Sequence, residues 1–383
     1  MSGAELPSIA AGLPALAQKI LDPAGPPALK QMAAKGLAPG LKPGDTLAVV
    51  VALADAEDNA IARTAQDTLR NLPAPLLNGA LGGALHALVL ERIGPSYAQD
   101  PAMAEKILRH PDISIAAAVA IAKVASEPVC ELIATNEERL LQSPELIEAL
   151  YRNRATRMST ADRIIELAVR NGMDIPGIPA FKEVAAAIQM QLIPEPTEEA
   201  TYDDIAFAAC ERAVAAAEQA NANANGDIED THEVDEVSGE ERVKKRFEEA
   251  EKKWHDLSTT GKIRRALTSP KPTDRLMALR DSSPLVRKAA VKSDAFTDAE
   301  AESISARKNT YEDVLREIAG SPTLVRRHKV KVNLVMNPRT PAGVAQKFLV
   351  FLREHELKQV AGSKDVQGAV AQQAKQLLQR KQK

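Results

Sequence analysis

Apolar residues along the chain occur in short segments separated by proline, and each segment is about the length of one helix. Within residues 145–150 and 161–169 they recur at helical spacing, which places them on one face of a helix. Alternating runs rich in β-branched residues are scarce, and aromatic residues are only 3% of the chain, so a sheet is not expected. Helices this short are marginal alone in water. We therefore predict an all-α protein whose helices stack on one another.

Several prolines directly follow a residue that caps helices, and five of these pairs predict helix starts. The pairs are Asp100-Pro101, Ser143-Pro144, Ser283-Pro284, Ser321-Pro322 and Asn337-Pro338. Proline is tolerated in the first turn of a helix but not in its interior, and Ser, Asp or Asn before it can accept hydrogen bonds from the free backbone N–H groups. Each pair therefore predicts the start of a helix.

Three short patterns from the first half of the chain recur in the second half, in the same order and 183 to 185 residues later. The matches are Asp112-Ile113-Ser114 with Ala295-Phe296-Thr297, Val129-x3-Ile133-Ala134 with Val314-x3-Ile318-Ala319, and Leu150-x2-Asn153-x2-Thr156 with Leu334-x2-Asn337-x2-Thr340. Repeated units that cannot each bury their own apolar face are typical of a solenoid. The pattern predicts an α-solenoid built from two related halves.

The formal net charge of −3 conceals an uneven distribution. Residues 1–221 hold 28 acidic and 18 basic residues, residues 222–241 hold 8 acidic and no basic residues, and residues 242–383 hold 31 basic and 16 acidic residues. Low hydropathy with charge of one sign is typical of disorder. We therefore predict a helical repeat domain over 1–220, an acidic flexible linker over 221–240 and a basic helical repeat domain over 241–383.

The basic domain opens with a charged segment, residues 241–257, that is predicted to form one amphipathic helix. Its apolar residues are spaced four, three, four and three apart, which produces one narrow stripe. Either this helix caps the first repeat that follows, or it docks a partner. In the second case Val243, Phe247 and Trp254 are the stripe residues that a partner would contact.

Residues 257–378 resemble a family of generally uncharacterised bacterial repeat proteins of the HEAT-like and leucine-rich-repeat-variant kind. The motifs that carry the resemblance are Lys262-Ile263-Arg264-x-Ala266-Leu267, Arg280-Asp281-Ser282 and Asn333-Leu334-Val335-x-Asn337-Pro338-x-Thr340-Pro341. A weaker similarity extends over residues 101–167. The resemblance implies a HEAT-like α-solenoid that presents binding surfaces, and it brings no catalytic or ligand-binding residues.

No pattern typical of catalysis, metal binding or cofactor binding was found in the sequence. The two cysteines, Cys130 and Cys210, do not form a CxxC pair, and none of the six histidines belongs to an HExxH motif. The glycines at 79, 82 and 83 lack the spacing of a nucleotide-binding loop. We therefore predict no catalytic, metal or cofactor residue and no enzymatic activity. Sparse cysteine indicates a cytoplasmic protein, and no apolar run is long enough for membrane insertion.

Basic residues in the second half form three groups that could line one face of a solenoid. The candidate residues for binding a partner or polyanion are Lys262, Arg264, Arg265, Arg287, Lys288, Lys292, Arg326, Arg327, Lys329 and Lys331. The first hypothesis is a scaffold or adaptor that binds protein partners through its repeats. The alternative is that the basic domain binds nucleic acid or another polyanion, because such a stripe attracts phosphates. An acidic protein would be attracted to the same surface.

Overall fold

The computed structural model describes residue 9 and residues 12–189, 199–221, 231–234 and 241–381. These residues are predominantly helical, which confirms the all-α class. The contacts between residues divide the chain into two compact units, Met1–Ile175 and Pro176–Lys383. None of the helices in the described ranges combines the length and the apolar composition that crossing a lipid bilayer requires.

The first unit consists of short helices joined by tight turns. They are α1 (Ala15–Leu21), α2 (Pro27–Ala34), α3 (Pro43–Leu53), α4 (Asn59–Arg70), α5 (Ala74–Leu81), α6 (Ala87–Ile93), α7 (Pro101–Leu108), α8 (Ile115–Ala122), α9 (Glu127–Ala134), α10 (Glu137–Gln142), α11 (Pro144–Arg152) and α12 (Met158–Arg170). Alternate helices contact one another: α1 packs on α3 and α3 on α5, while α6 packs on α8 and α7 on α9. Apolar faces are therefore buried between neighbours along the chain.

The second unit follows the same plan after two leading helices and a hairpin. Its elements are α13 (Phe181–Gln189), α14 (Tyr202–Asn221), β1 (His232–Val234), β2 (Glu241–Val243), α15 (Glu248–His255), α16 (Thr259–Thr268), α17 (Pro272–Arg280), α18 (Pro284–Lys292), α19 (Asp298–Ala306), α20 (Glu312–Gly320), α21 (His328–Met336), α22 (Ala342–Leu349), α23 (Glu354–Gly362) and α24 (Gly368–Lys381). Here α16 packs on α18, α18 on α20, α19 on α21 and α22 on α24.

Three of the five predicted proline starts are confirmed, because α7, α11 and α18 begin at Pro101, Pro144 and Pro284. The other two predictions are wrong. After Ser321-Pro322 comes a single 3-10 turn, Leu324–Arg326, and the next helix begins only at His328.

Asn337-Pro338 also does not begin a helix, because the Asn337 side chain has a different role. Its Oδ1 accepts a hydrogen bond from the N–H of Arg339 at 3.0 Å, and its Nδ2 donates to the carbonyls of Ser305 at 2.9 Å and Arg307 at 2.8 Å. The side chain thus links its own turn to the turn about one helix pair earlier. Helix α22 begins at Ala342 instead.

Asn153 makes the corresponding set of hydrogen bonds in the first unit. Its Nδ2 donates to the carbonyls of Ala122 at 2.7 Å and Ala125 at 2.9 Å, and its Oδ1 accepts from the N–H of Ala155 at 2.9 Å. Asn153 and Asn337 occupy matching positions in the two halves of the sequence, and the match extends to their hydrogen bonds.

Gly94, at the start of a 3-10 turn after α6, lies against α8. A Cβ atom at this position would be 2.7 Å from Cγ1 and 2.8 Å from Cδ1 of Ile121. We expect Gly94→Ala to destabilise the protein by about 1–3 kcal/mol, because the core must shift to admit the methyl group. Thermal unfolding followed by circular dichroism measures this. Gly83→Ala is the matched control, since its Cβ would approach no atom closer than 4.0 Å. Equal melting temperatures for both variants would contradict the prediction.

The boundary between the units differs from the one predicted from composition. Composition places residues 176–220 in the N-terminal domain, whereas the contact boundary falls after Ile175. Helix α13 packs on α16 and α18, and α14 packs on α15 and α17, so both belong with the basic half. Net charge does not report which helices pack together.

The predicted flexible linker, 221–240, is corrected at its described residues. Strands β1 and β2 pair antiparallel, with His232 opposite Val243 and Val234 opposite Glu241. Thr231, just before β1, is buried, and its carbonyl accepts a hydrogen bond from the N–H of Lys244. The rest of the predicted linker, 222–230 and 235–240, lies outside the described residues.

The helix predicted over 241–257 is shorter than expected. Its first residues form β2, residues 245–247 form a 3-10 turn, and the α-helix begins only at Glu248. The apolar stripe nevertheless faces inward, since Phe247 and Trp254 are 1% and 2% exposed. These burials support the interpretation as a cap and leave neither aromatic ring available to a partner.

Candidate partner-binding surface

The first two groups of predicted basic residues lie largely inside the second unit. Arg264, Arg265 and Arg287 are 1%, 3% and 6% exposed. Because a buried guanidinium must be paired to be tolerated, these side chains are parts of the interior and not of a binding stripe. The hypothesis of a continuous basic face is therefore wrong at these three positions.

Arg265 on α16 forms a two-pronged ion pair with Asp274 on α17. Its Nε lies 3.1 Å from Oδ1 and its Nη2 lies 2.7 Å from Oδ2 of Asp274, whose second oxygen also accepts from the Ser269 hydroxyl. Burial by itself lowers the pKa of Arg265, but the charge and hydrogen bonds of Asp274 outweigh it and raise that pKa above its ordinary value. Arg265 therefore stays charged.

A second buried pair, which the sequence interpretation did not include, joins α17 to α19. Arg275 places its Nη2 2.9 Å from Oε1 of Glu300 and donates from Nη1 to the Ser269 carbonyl at 3.1 Å. Glu300 also accepts from the backbone and hydroxyl of Thr297, which completes a capping box at the start of α19. The Glu300 carboxylate thus caps the start of α19 and also pairs with the Arg275 guanidinium.

Arg287 on α18 holds two turns together. Its Nε donates to Asp313 at 3.0 Å, its Nη1 donates to the carbonyls of Asp281 and Ser282, and its guanidinium lies 4.0 Å from the centre of the Tyr311 ring. These contacts engage its Nε, its Nη1 and one face of the guanidinium within the fold, so Arg287 has a structural role.

Lys262 and Trp254 both contact the carboxylate of Asp281. The ammonium of Lys262 lies 3.1 Å from Oδ2 of Asp281, and the indole Nε1–H of Trp254 donates to the same oxygen at 3.0 Å. This arrangement attaches α15 to the turn after α17, as a capping helix requires.

Lys292 and Lys288 form the far end of the second group. Lys292 on α18 pairs with Glu183 on α13 at 3.0 Å. Burial raises the pKa of Glu183, yet the hydrogen bond from Lys292 and the charges of both lysines prevail and lower it. These lysines therefore help to hold α13 in place.

The third group, after α20, lies at the surface. Arg326, Arg327 and Lys329 are exposed, but Arg327 pairs with Asp298 at 3.1 Å and Lys329 pairs with Glu302 at 2.9 Å. Lys331 instead lies over the ring of Phe351, with its Nζ 4.9 Å from the ring centre. Lys331 therefore meets an exposed aromatic side chain, as Arg287 does at Tyr311.

The turn after α22 exposes two large apolar residues beside basic side chains. Val350 and Phe351 are 60% and 57% exposed. Lys347 lies one helical turn before Phe351, and Arg353 follows two residues after it; both are exposed. We name Lys331, Lys347, Val350, Phe351 and Arg353 the C-terminal surface. Nothing in the sequence pattern singled out the two apolar members, because Phe351 follows the buried residues of an ordinary amphipathic helix.

Hydrogen bonds of Glu356 join the segments that carry the C-terminal surface. His328, one helical turn before Lys331, has its Nε2 within 2.8 and 2.9 Å of the two carboxylate oxygens of Glu356 on α23. The same carboxylate accepts a hydrogen bond from the backbone N–H of Arg353. Burial raises the pKa of Glu356, but this backbone bond and His328 outweigh it and lower the pKa, so the carboxylate stays ionised.

Each unit also carries a shallow groove at the matching place. The grooves have volumes of about 440 and 450 Å³. Their lining includes Leu108, Arg109, Thr135 and Asn136 in the first unit, and Val291, Lys292, Gly320 and Ser321 in the second. The paired positions are 183 or 185 residues apart, the interval of the sequence matches.

The described residues include no group of three or more His, Cys, Asp or Glu side chains that could hold a metal ion. Histidines 232 and 255 both approach Glu251, at 3.8 and 3.9 Å. Cys210 is buried, and burial raises the pKa of its thiol to about 12. A thiol with such a pKa remains protonated near neutral pH and is a poor nucleophile.

Comparison with known proteins found no match to a family model, to a curated protein or to a solved structure.

Proposed function

We propose that this chain is a non-enzymatic scaffold or adaptor of the HEAT-like solenoid kind, which binds a protein partner in the cytoplasm. Stacking supports the solenoid: alternate helices contact one another in both units. Side chains such as Asn153 and Asn337 tie each turn to a turn about 30 residues earlier. Shared hydrogen bonds and equivalent grooves support two related halves.

One observation carries the binding role. Val350 and Phe351 are more than half exposed, and the basic residues Lys331, Lys347 and Arg353 belong to the same surface. The contact between His328 and Glu356 joins α21 to α23 next to this surface. Exposed aromatic residues rimmed by polar groups are typical of protein interfaces. An adaptor would bind its partner through this surface.

The test is affinity capture of the tagged full-length chain from a lysate of its own cells, with nuclease treatment. We expect the same protein to be enriched in replicate experiments, before and after the nuclease. A tagged helical protein of similar size and charge is the control. Recovery of nucleic acid alone, with no protein enriched over the control, would contradict the proposal.

Polyanion binding through the basic half is less well supported, because much of its positive charge is neutralised internally. Arg265, Arg287, Arg327 and Lys329 all pair with carboxylates of the same unit. Duplex DNA titrated into the full chain at about 50 mM salt tests this alternative, since non-specific phosphate contacts are strongest at low salt. Tight binding there would favour the alternative over the adaptor.

A further inference from the structure

The excess positive charge of the second half is concentrated near its C-terminal end. Residues 326–383 contain 13 basic and 3 acidic residues, whereas residues 242–325 contain 18 and 13. Two of the three acidic residues near the end, Glu356 and Asp365, are engaged by His328 and Lys308. The third, Glu354, pairs with Lys358 on its own helix. The surplus of basic over acidic residues is therefore larger in residues 326–383 than in residues 242–325.

Within the described part of the chain, no carboxylate lies within ion-pair distance of Lys331, Lys347 or Arg353. Lys331 lies over the Phe351 ring, and Lys347 and Arg353 are exposed within four residues of Phe351 along the chain, so this surface combines uncompensated positive charge with exposed apolar area. Such a surface is complementary to a segment that carries both acidic and large apolar side chains.

We propose that the C-terminal surface docks an acidic protein segment, whose carboxylates face Lys331, Lys347 and Arg353 and whose apolar side chains cover Val350 and Phe351. This rests on the proposed function and names the class of partner. A nucleic acid fits less well, because its phosphates need a row of cations and gain nothing from the two apolar residues. The neighbouring cations Arg327 and Lys329 are already paired, which interrupts such a row.

The experiment selects binding peptides with the full chain from a phage-displayed library of random peptides. We expect enriched peptides that combine Asp or Glu with Leu, Phe, Trp or Tyr. The best peptide is then labelled and titrated by fluorescence anisotropy. Its affinity should fall by about tenfold or more with Phe351→Ser and by a few-fold with Lys331→Gln, because central aromatic contacts dominate such interfaces. Raising the salt should weaken binding further.

Two matched variants serve as controls. Leu37→Ser removes an apolar side chain that is as exposed as Val350, and Lys252→Gln removes an exposed lysine on α15. Both should bind the peptide within about twofold of the unaltered chain. Circular dichroism and the fluorescence of Trp254 verify that Phe351→Ser is folded, and Val350→Ser repeats the test at the neighbouring residue.

Three results would overturn the inference. Enriched peptides could lack acidic residues, Phe351→Ser could bind as tightly as the unaltered chain, or a 20-base-pair duplex or vesicles of anionic phospholipid could bind more tightly than the peptide and displace it. These failures are separable from failure of the adaptor proposal. If lysate capture still recovers a protein with Phe351→Ser, the adaptor role stands and its docking surface lies elsewhere.

Discussion

Asp274→Asn is expected to destabilise the second unit by about 3–5 kcal/mol. Asp274 is completely buried, and its carboxylate is the charged partner of Arg265, which is itself buried. The amide would leave the guanidinium charge uncompensated in a medium that solvates it poorly. Chemical unfolding followed by the fluorescence of Trp254 measures the loss, because this single tryptophan is buried in the same unit.

Glu312→Gln is the control for loss of a carboxylate. It also removes one partner of an ion pair, with Arg316, but both side chains are about three-fifths exposed. Exposed pairs contribute about 0–1 kcal/mol, so this variant should unfold almost as the unaltered chain does. A loss below about 1 kcal/mol for Asp274→Asn would mean that water or another group stabilises Arg265, contrary to its burial.

The double variant Arg265→Met, Asp274→Leu separates the cost of an orphaned charge from the value of the pair. Replacing a buried ion pair by apolar side chains of similar volume is often neutral or stabilising. We expect the double variant to recover most of the stability that Asp274→Asn loses. If it were as unstable as the single variant, packing and not charge would explain the effect.

Local signals in the sequence predicted the helices well. Pro101, Pro144 and Pro284 begin helices because proline fits the first helical turn; of the residues before them, Asp100 accepts cap hydrogen bonds with its side chain, whereas Ser143 and Ser283 do not. The prediction failed at Asn337, where the side chain bonds to a turn 30 to 32 residues earlier. A rule that considers only neighbouring residues cannot separate a polar residue that starts a helix before proline from one, like Asn337, whose side chain bonds to a distant turn.

The interior arginines were missed for a similar reason. A basic side chain on a short helix usually lies at the surface, so Arg265 and Arg287 were placed there. The environment of Arg287 depends on a carboxylate brought close by stacking. Asp274 follows Arg265 by only 9 residues, whereas Asp313 follows Arg287 by 26, and Glu300 likewise follows Arg275 by 25. That recurrent separation between arginine and acid is the one signal in the sequence that could have indicated buried pairs.

The candidate site was predictable only in part. Lys331 was identified from charge, whereas Val350 and Phe351 were not, because exposure at the end of an amphipathic helix depends on whether another helix follows close by. Val350 and Phe351 lie in the turn between α22 and α23 and remain largely uncovered. The inward-facing Trp254 and Phe247 show the reverse case, in which a stripe suited to docking is covered by its own unit.

Asn337→Ala and Asn153→Ala should each cost about 2–4 kcal/mol, because each removes a side chain that satisfies two backbone carbonyls and one N–H. Hydrogen exchange measured by mass spectrometry reports each unit separately. Loss of protection is expected first in the two turns that the asparagine joins. Asn78→Ala is the control, since this exposed amide makes no side-chain hydrogen bond among the described residues except with the ammonium of Lys106, and it should change stability by less than about 0.5 kcal/mol.

Asn337→Asp distinguishes hydrogen bonding from packing at the same site. Aspartate has nearly the same shape, but its ionised carboxylate cannot donate to the carbonyls of Ser305 and Arg307 and would be repelled by them. It should therefore be at least as destabilising as alanine. If aspartate were tolerated while alanine was not, the side chain would act by filling space. Equal losses at positions 153 and 337 would indicate that the two halves share one structural device, and a large loss at only one would argue against their common origin.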